Sequence, residues 1–211
     1  MPNTATGASP PETTDLRRLR SAAADCRGCP LHQDATRTVF GEGPADASVL
    51  VVGEQPGDRE DLAGKPFVGP AGRLLDKAFE EAGFDRRSLY LTNAVKHFKF
   101  THDERGKRRI HQKPSRGVAV ACRPWLLAEL RAVRPNLLIL LGAVAAQSLL
   151  GPSFRITRCR GELLEPPEDI ADVVGTTIVT VHPSAVLRAP DRQEAYAAFV
   201  ADLRAAREAV K

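Results

Sequence analysis

Asn136-Leu-Leu-Ile-Leu-Leu-Gly142 is an unbroken apolar run closed by glycine. A strand with one wet face alternates apolar and polar residues, whereas a strand covered on both faces does not; the run has the pattern of a buried parallel strand. Ser48-Val-Leu-Val-Val-Gly53 has the same character, and so has Thr177-Ile-Val-Thr-Val181, which is stopped by His182-Pro183. A fourth strand is expected over 88–95, with Asn93 near its end. Between these runs the apolar spacing is helical: Leu74, Leu75, Ala78, Phe79 and Ala82 in 70–82, and Trp125, Leu126 and Leu130 in 117–133. A short helix at 143–150 and an amphipathic one at 193–210 follow the same logic. Alternation of strand and helix predicts an α/β fold with helices on both faces of a parallel sheet. In open sheets of this kind the chemistry gathers at the carboxyl ends of the strands. Here those ends deliver Gly53-Glu54-Gln55, Asn93, Gly142 and His182: a carboxylate, two amides and an imidazole.

The chain has 211 residues, which suits one domain, and 43% hydrophobic against 27% charged residues is the balance of a globular protein. Disordered, collagen-like and disulfide-dense classes are thereby excluded. No apolar run approaches the roughly 20 residues of a membrane helix. Residues 1–14 are rich in Pro and Thr and lack an apolar core segment, so a flexible tail before a single domain at 15–211 is expected, with a cytoplasmic location. Net charge is +4. The stretch 96–116 holds eight Lys/Arg against Asp103 and Glu104, a local +6, so the remainder sums to −2. A polyanion is the expected partner of this long basic loop.

Four cysteines stand at 26, 29, 122 and 159. In a cytosolic chain, Cys26-Arg-Gly-Cys29 reads as a metal or redox site before it reads as a disulfide. It follows the helical stretch 16–24, which is the wrong place for thioredoxin-like chemistry. Zinc and a [4Fe–4S] cluster both accept four thiolates, and spacing does not separate them; four unrelated buried thiols are the plain alternative. The other features also have plain readings. Gly53-Glu-Gln-Pro-Gly-Asp58 is a turn with an N-capping Asp58, Phe67 is core, His182 is a satisfied strand-end histidine, and Lys107-Arg-Arg-Ile-His111 is a phosphate patch or localisation signal.

Taken in order, however, Gly53-Glu-Gln-Pro-Gly57, Pro66-Phe67-Val-Gly-Pro-Ala-Gly72, Asn93 and His182-Pro-Ser184 resemble the uracil-DNA glycosylase superfamily. The resemblance runs from Asp15 to Leu203. The cysteines narrow it to the iron–sulfur members close to family 4. Gln55 and the segment Lys107-Arg-Arg-Ile-His111 are similar to the UdgX type, whose members become covalently attached to their DNA. Family 4 proper places its last cluster cysteine closer to the third, where this chain has the strand containing Leu138, so Cys159 is the expected fourth ligand after Cys26, Cys29 and Cys122.

The resemblance implies a three-layer α/β/α fold with a central, mostly parallel, four-stranded sheet. It implies that uracil-containing DNA is the partner, single strands included, and that free uracil is released by a monomer. Phe67 would stack on a flipped-out uracil. Asn93, whose amide offers both donor and acceptor, would read the base edge together with Gln55. His182 would stabilise charge developing on the base, and His111, oriented by Glu54, would compete with water for C1′ of the sugar. Asp58, Lys107, Arg108, Arg109, Ser184 and Arg188 would hold the loop or bind DNA. The cluster, with zinc as the alternative, would be structural. Two other functions stay open at this stage: a turnover glycosylase in which His111 merely touches DNA, and a non-enzymatic DNA-binding protein with a zinc site.

Overall fold

A computed structural model describes residues 6–104 and 106–210. The chain runs α1 (Leu16–Ala24), β1 (Val49–Gly53), α2 (Asp58–Ala63), α3 (Pro70–Glu81), β2 (Leu89–Asn93), β3 (Phe100–His102), β4 (Arg109–His111), α4 (Arg116–Val133), β5 (Leu137–Leu141), α5 (Gly142–Leu150), β6 (Leu163–Leu164), β7 (Thr176–Thr180), α6 (Pro183–Arg188) and α7 (Arg192–Glu208), with short 3₁₀ turns between. The main sheet has the order β2-β1-β5-β7-β6. Its first four strands are parallel, and β6 pairs antiparallel with β7. The expected α/β fold is therefore present with one more strand than the four anticipated. Leu163–Leu164 is two residues long, too short to leave a periodic trace in sequence.

β1 shows why the sequence folds this way. All five of its residues are buried, and alternate side chains enter two separate cores. Leu50 and Val52 join residues of α1, α4 and α5, while Val49 and Val51 join residues of α3, α6 and α7. Each fully buried aliphatic side chain contributes about 1.5–3 kcal/mol relative to exposure, so a one-residue slip of register would be costly on both faces at once. Helix starts are set by side-chain caps. Asp15 accepts the N–H groups of Arg17 and Arg18, Ser115 that of Val118, and Asp191 that of Glu194. No helix among the described residues is long and apolar enough to cross a membrane. Within the stretch expected to be a tail, Gly7 N–H donates to the Gly28 carbonyl and Ala8 N–H to that of Ala121, which ties 7–8 to the CxxC segment and α4.

Two sequence readings are corrected. Asp58 is not the N-cap expected at the end of the turn 53–58; Gly57 is the cap of α2 and Asp58 its first residue. The basic stretch 96–116 is not an irregular loop either: Phe100–His102 and Arg109–His111 pair as an antiparallel hairpin. Its charge is also smaller at the surface than the count suggests. Lys96 is fully buried and ion-paired with Glu129, and it donates to Thr92 Oγ1 at 2.6 Å and the Asn93 carbonyl at 2.7 Å. A buried charge of this kind is stable only when paired and hydrogen-bonded. Glu129 meets that need with further bonds from Tyr90 Oη, Thr92 Oγ1 and Gly41 N–H.

Candidate active site

The parallel register sets Gly53 beside Asn93 at the carboxyl ends of β1 and β2. A Cβ on Gly53 would collide with the Asn93 side-chain oxygen and would lie 2.6 Å from the tip of the Phe67 ring. Glycine is therefore what lets the amide and the aromatic ring meet. Phe67 is buried and holds a left-handed backbone at φ 57°, rare for a residue with a Cβ. Its ring faces the imidazole of His182, with centroids 6.4 Å apart and planes inclined by 27°. Gly142, at φ 89°, repeats the device on the neighbouring strand: a Cβ there would lie 2.9 Å from Cβ of His182. Three side chains from distant sequence thus converge on one recess.

His182 caps α6 and is fixed by the residue two places on. Its Nδ1 accepts the Ser184 backbone N–H at 3.2 Å and lies 2.8 Å from Ser184 Oγ. With Nδ1 used as an acceptor, the ring proton sits on Nε2. Burial, then the neighbouring His111 and Arg188, push its pKa down to about 4. At neutral pH His182 is a neutral imidazole with one N–H to donate.

The hairpin overhangs this recess and is attached by side chains. The Gln55 amide donates to the carbonyls of Lys99 at 3.2 Å and Gln112 at 3.0 Å, and its oxygen accepts the Lys99 N–H at 3.2 Å. Both ends of a side chain expected to bind the base are thus occupied by the hairpin. Arg109 bonds Asp58 Oδ1 at 2.6 Å, Asp61 Oδ2 at 2.6 Å and Thr36 Oγ1 at 3.1 Å. Its guanidinium also lies over Phe98 and Phe100, at 5.4 and 5.0 Å from their centroids. Asp58 and Arg109 thus join helix α2 to the hairpin, and Asp61 is a further partner that the sequence reading missed. Its signal was present: acids at 58 and 61 fall on one face of a helical turn. Lys107 and Arg108 are exposed at the hairpin tip, where their N–H groups bond Asp103 Oδ1.

This anchoring brings His111 Nε2 to 3.5 Å from Glu54 Oε1. Burial lowers the His111 pKa, and Arg188 adds to the effect. Burial also raises the Glu54 carboxyl, against the opposing pull of Lys113 and Arg188. The pair is consequently a neutral imidazole beside a carboxylate more basic than usual. Such a pair can attack an electrophile and pass on the resulting proton.

The four cysteines are not drawn into one tight group. Among the described residues, no three His, Cys, Asp or Glu side chains stand close enough together to hold one ion. Cys26, Cys29 and Cys122 nevertheless lie around the segment Lys96-His97 and the first turns of α4. Trp125 Nε1–H donates to Cys26 Sγ at 3.2 Å, Lys96 N–H donates to Cys122 Sγ at 3.2 Å, and Cys29 Sγ is 3.8 Å from His97 Nδ1. Burial pushes the Cys122 thiol up to about 12, against the pull of Lys96. A thiol held that high keeps its proton unless a cation replaces it. The Cys159 sulfur contacts the Arg155 carbonyl at 3.9 Å, beside the turn at Ile156–Arg158. Beside Cys29 lies the buried imidazole of His97, whose Nε2 is 2.9 Å from Thr38 Oγ1. Sequence reading missed it because a histidine next to a lysine in a basic stretch looks like a surface residue.

Residues 40–204 match the model of the uracil DNA glycosylase superfamily. The chain is similar to the type-4 uracil-DNA glycosylase of Pyrobaculum aerophilum, at 35% identity over 83% of this chain and 86% of that protein. It is similar also to that of Thermotoga maritima, at 36% over 77% and 78%, and to that of Archaeoglobus fulgidus, at 35% over 81% and 82%.

Proposed function

The chain belongs to the uracil DNA glycosylase superfamily, and on that footing we propose that it excises uracil from DNA and then joins itself to the abasic sugar through His111. The carrying observation is the hairpin: Gln55 and Arg109 hold it so that His111 stands at Glu54 beside the recess of Phe67, Asn93 and His182.

Uracil flipped from the strand would lie on Phe67, with its edge on the Asn93 amide. Cytosine presents the reverse pattern of donor and acceptor and would leave that amide unpaired. The bond between C1′ and the base nitrogen breaks with its electron pair leaving on uracil. The N–H of His182 meets the charge that develops on the uracil oxygen, and a neutral donor suits a site where charge appears only during reaction. The sugar is left as an oxocarbenium ion. A lone pair of the His111 imidazole bonds to C1′, and the ring's surplus proton passes to Glu54, leaving a neutral alkylated imidazole. A nucleophile held in place has a large effective concentration, which lets it outrun water. An alkylated imidazole is a poor leaving group, so each molecule acts once. Ser184 orients His182, while Lys107, Arg108 and Arg188 attract the phosphate backbone. Cys26, Cys29 and Cys122, with His97 in place of Cys159, would hold a [4Fe–4S] cluster whose part is structural. The protein is expected to work as a monomer and to accept single strands.

The names of the relatives favour a second reading, in which water captures the sugar and abasic DNA is released. One denaturing gel separates the two. A labelled uracil-containing single strand mixed with the protein is boiled in detergent and run beside His111→Ser. Capture gives a slow band in the parent alone. Alkali-sensitive breaks in both, with no slow band, establish turnover chemistry instead.

A further inference from the structure

Helix α2 has six residues, and its three acids, Asp58, Glu60 and Asp61, serve two different parts of the site. Asp58 and Asp61 take Arg109 of the hairpin, and Asp61 also accepts the N–H groups of Thr36 and Arg37. Glu60 has no part in that arrangement. It is 8% exposed, and its two oxygens accept backbone N–H groups from separate segments: Gly57 at 3.2 Å and Gly69 at 2.7 Å. Both partners are glycines, and a Cβ would lie 2.7 Å from the carboxylate at Gly57 and 3.0 Å at Gly69. The two turns that frame the recess are thus clasped by one buried carboxylate. A carboxylate bonded to backbone N–H groups makes charge-assisted bonds, about twice as strong as neutral ones.

What the clasp controls is two residues upstream. Gly69 is the N-cap of α3, and its own carbonyl accepts the Arg73 N–H at 3.1 Å. Phe67 sits just before it in a left-handed conformation that is strained for a residue with a Cβ and persists only where its surroundings hold it. Gly72 makes room for it on one side, because a Cβ there would collide with the Phe67 carbonyl. Glu60, through Gly69, enforces it from the other. We infer that Glu60 is a positioning residue for base binding, and that it fixes the Phe67 ring in the orientation that stacks on uracil. The inference rests on the role proposed above for Phe67.

The test is single-turnover uracil release from a labelled single strand at increasing protein concentration, which gives a half-saturation concentration and a maximal rate. Glu60→Ala raises the half-saturation concentration about tenfold and leaves the maximal rate within about threefold, the mark of lost ground-state binding. Glu60→Gln keeps an acceptor for Gly69 N–H and restores half-saturation to within about threefold of the parent. If Glu60→Ala does not fold, Glu60→Asp, too short to reach both N–H groups, carries the same expectation. Because Glu60 acts through the ring, its substitution in a Phe67→Ala background adds little further loss. Unchanged half-saturation in Glu60→Ala, a lost maximal rate with half-saturation intact, full additivity with Phe67→Ala, or no rescue by glutamine overturns the assignment. Phe67→Ala separates the two levels. If it raises half-saturation while Glu60→Ala does not, the positioning role alone fails. If it has no effect, stacking on Phe67 fails and the positioning role falls with it.

Discussion

At the strand ends, Gly53, Phe67, Asn93 and His182 are held by parallel pairing and by close packing that leaves no space for a Cβ at Gly53. The hairpin above them is a small antiparallel pair, Phe100–His102 with Arg109–His111, fastened to the domain through Gln55 and Arg109. The first region is fixed by burial, the second by polar side chains that are partly wet. The proposed chemistry divides along the same line: the buried region breaks the glycosidic bond, and the attached region decides what captures the sugar. Substitutions in the two regions should therefore have separable effects.

The largest effect is expected in the buried region. His182→Ala removes the donor that meets charge on the departing base, and uracil release should fall about 10²–10³-fold. The covalent band should fall with it, since capture follows bond breaking. A His182→Ala protein that forms adduct at the parent's rate would remove His182 from the chemistry.

The hairpin should behave in the opposite way. Arg109→Ala removes contacts to Asp58, Asp61 and Thr36, and adduct should drop about tenfold while uracil release changes less than about threefold. Free abasic product makes up the difference. Gln55→Ala should give a smaller loss of adduct, about threefold, because Arg109 still anchors the strand that carries His111. Equal loss of release and adduct in either variant would mean that the hairpin serves bond breaking too.

Acidity provides a milder test. Only neutral imidazole attacks, and His111 has its pKa lowered by burial. Adduct yield should stay flat from about pH 8 to 6.5, the ordinary histidine pKa, and decline only below that. His182, held near 4, remains a neutral donor further into acid. Below pH 6.5 uracil release should therefore outlast capture, and free abasic DNA should accumulate. Capture and release that decline together would unite the two regions.

The smallest effect belongs to Cys159, whose sulfur lies at Arg155. Cys159→Ser should leave iron per chain and visible absorption unchanged, while Cys122→Ser and His97→Ala should lose both. Iron lost from Cys159→Ser alone would restore the four-cysteine centre.

Much of this arrangement can be read from local sequence. Continuous apolar runs mark buried parallel strands because each residue is covered on one face or the other. The strand-end residues follow directly, since a glycine or polar side chain is what ends such a run. The motifs built on them resemble one family closely enough to suggest roles for Phe67, Asn93, His182 and His111. Side-chain commitments are not legible in the same way, because they depend on what lies opposite in space. Gln55 carries an amide suited to reading a base, and only the fold shows both ends of it engaged by the hairpin. Lys96 counts as surface charge in the sequence, yet it is buried against Glu129, 33 residues away. His97 is a further case: a list of possible ligands is a property of sequence, but only the packing of α4 and the segment after β2 brings that imidazole to Cys29. The sequence alone determined the α/β fold and the residues at its strand ends, because periodic burial and glycine are local signals. Only the tertiary structure decided which of those residues gather at Phe67, which hold the hairpin and which lie beside the cysteines, because hydrogen bonds and charge pairs are settled by distance across the fold.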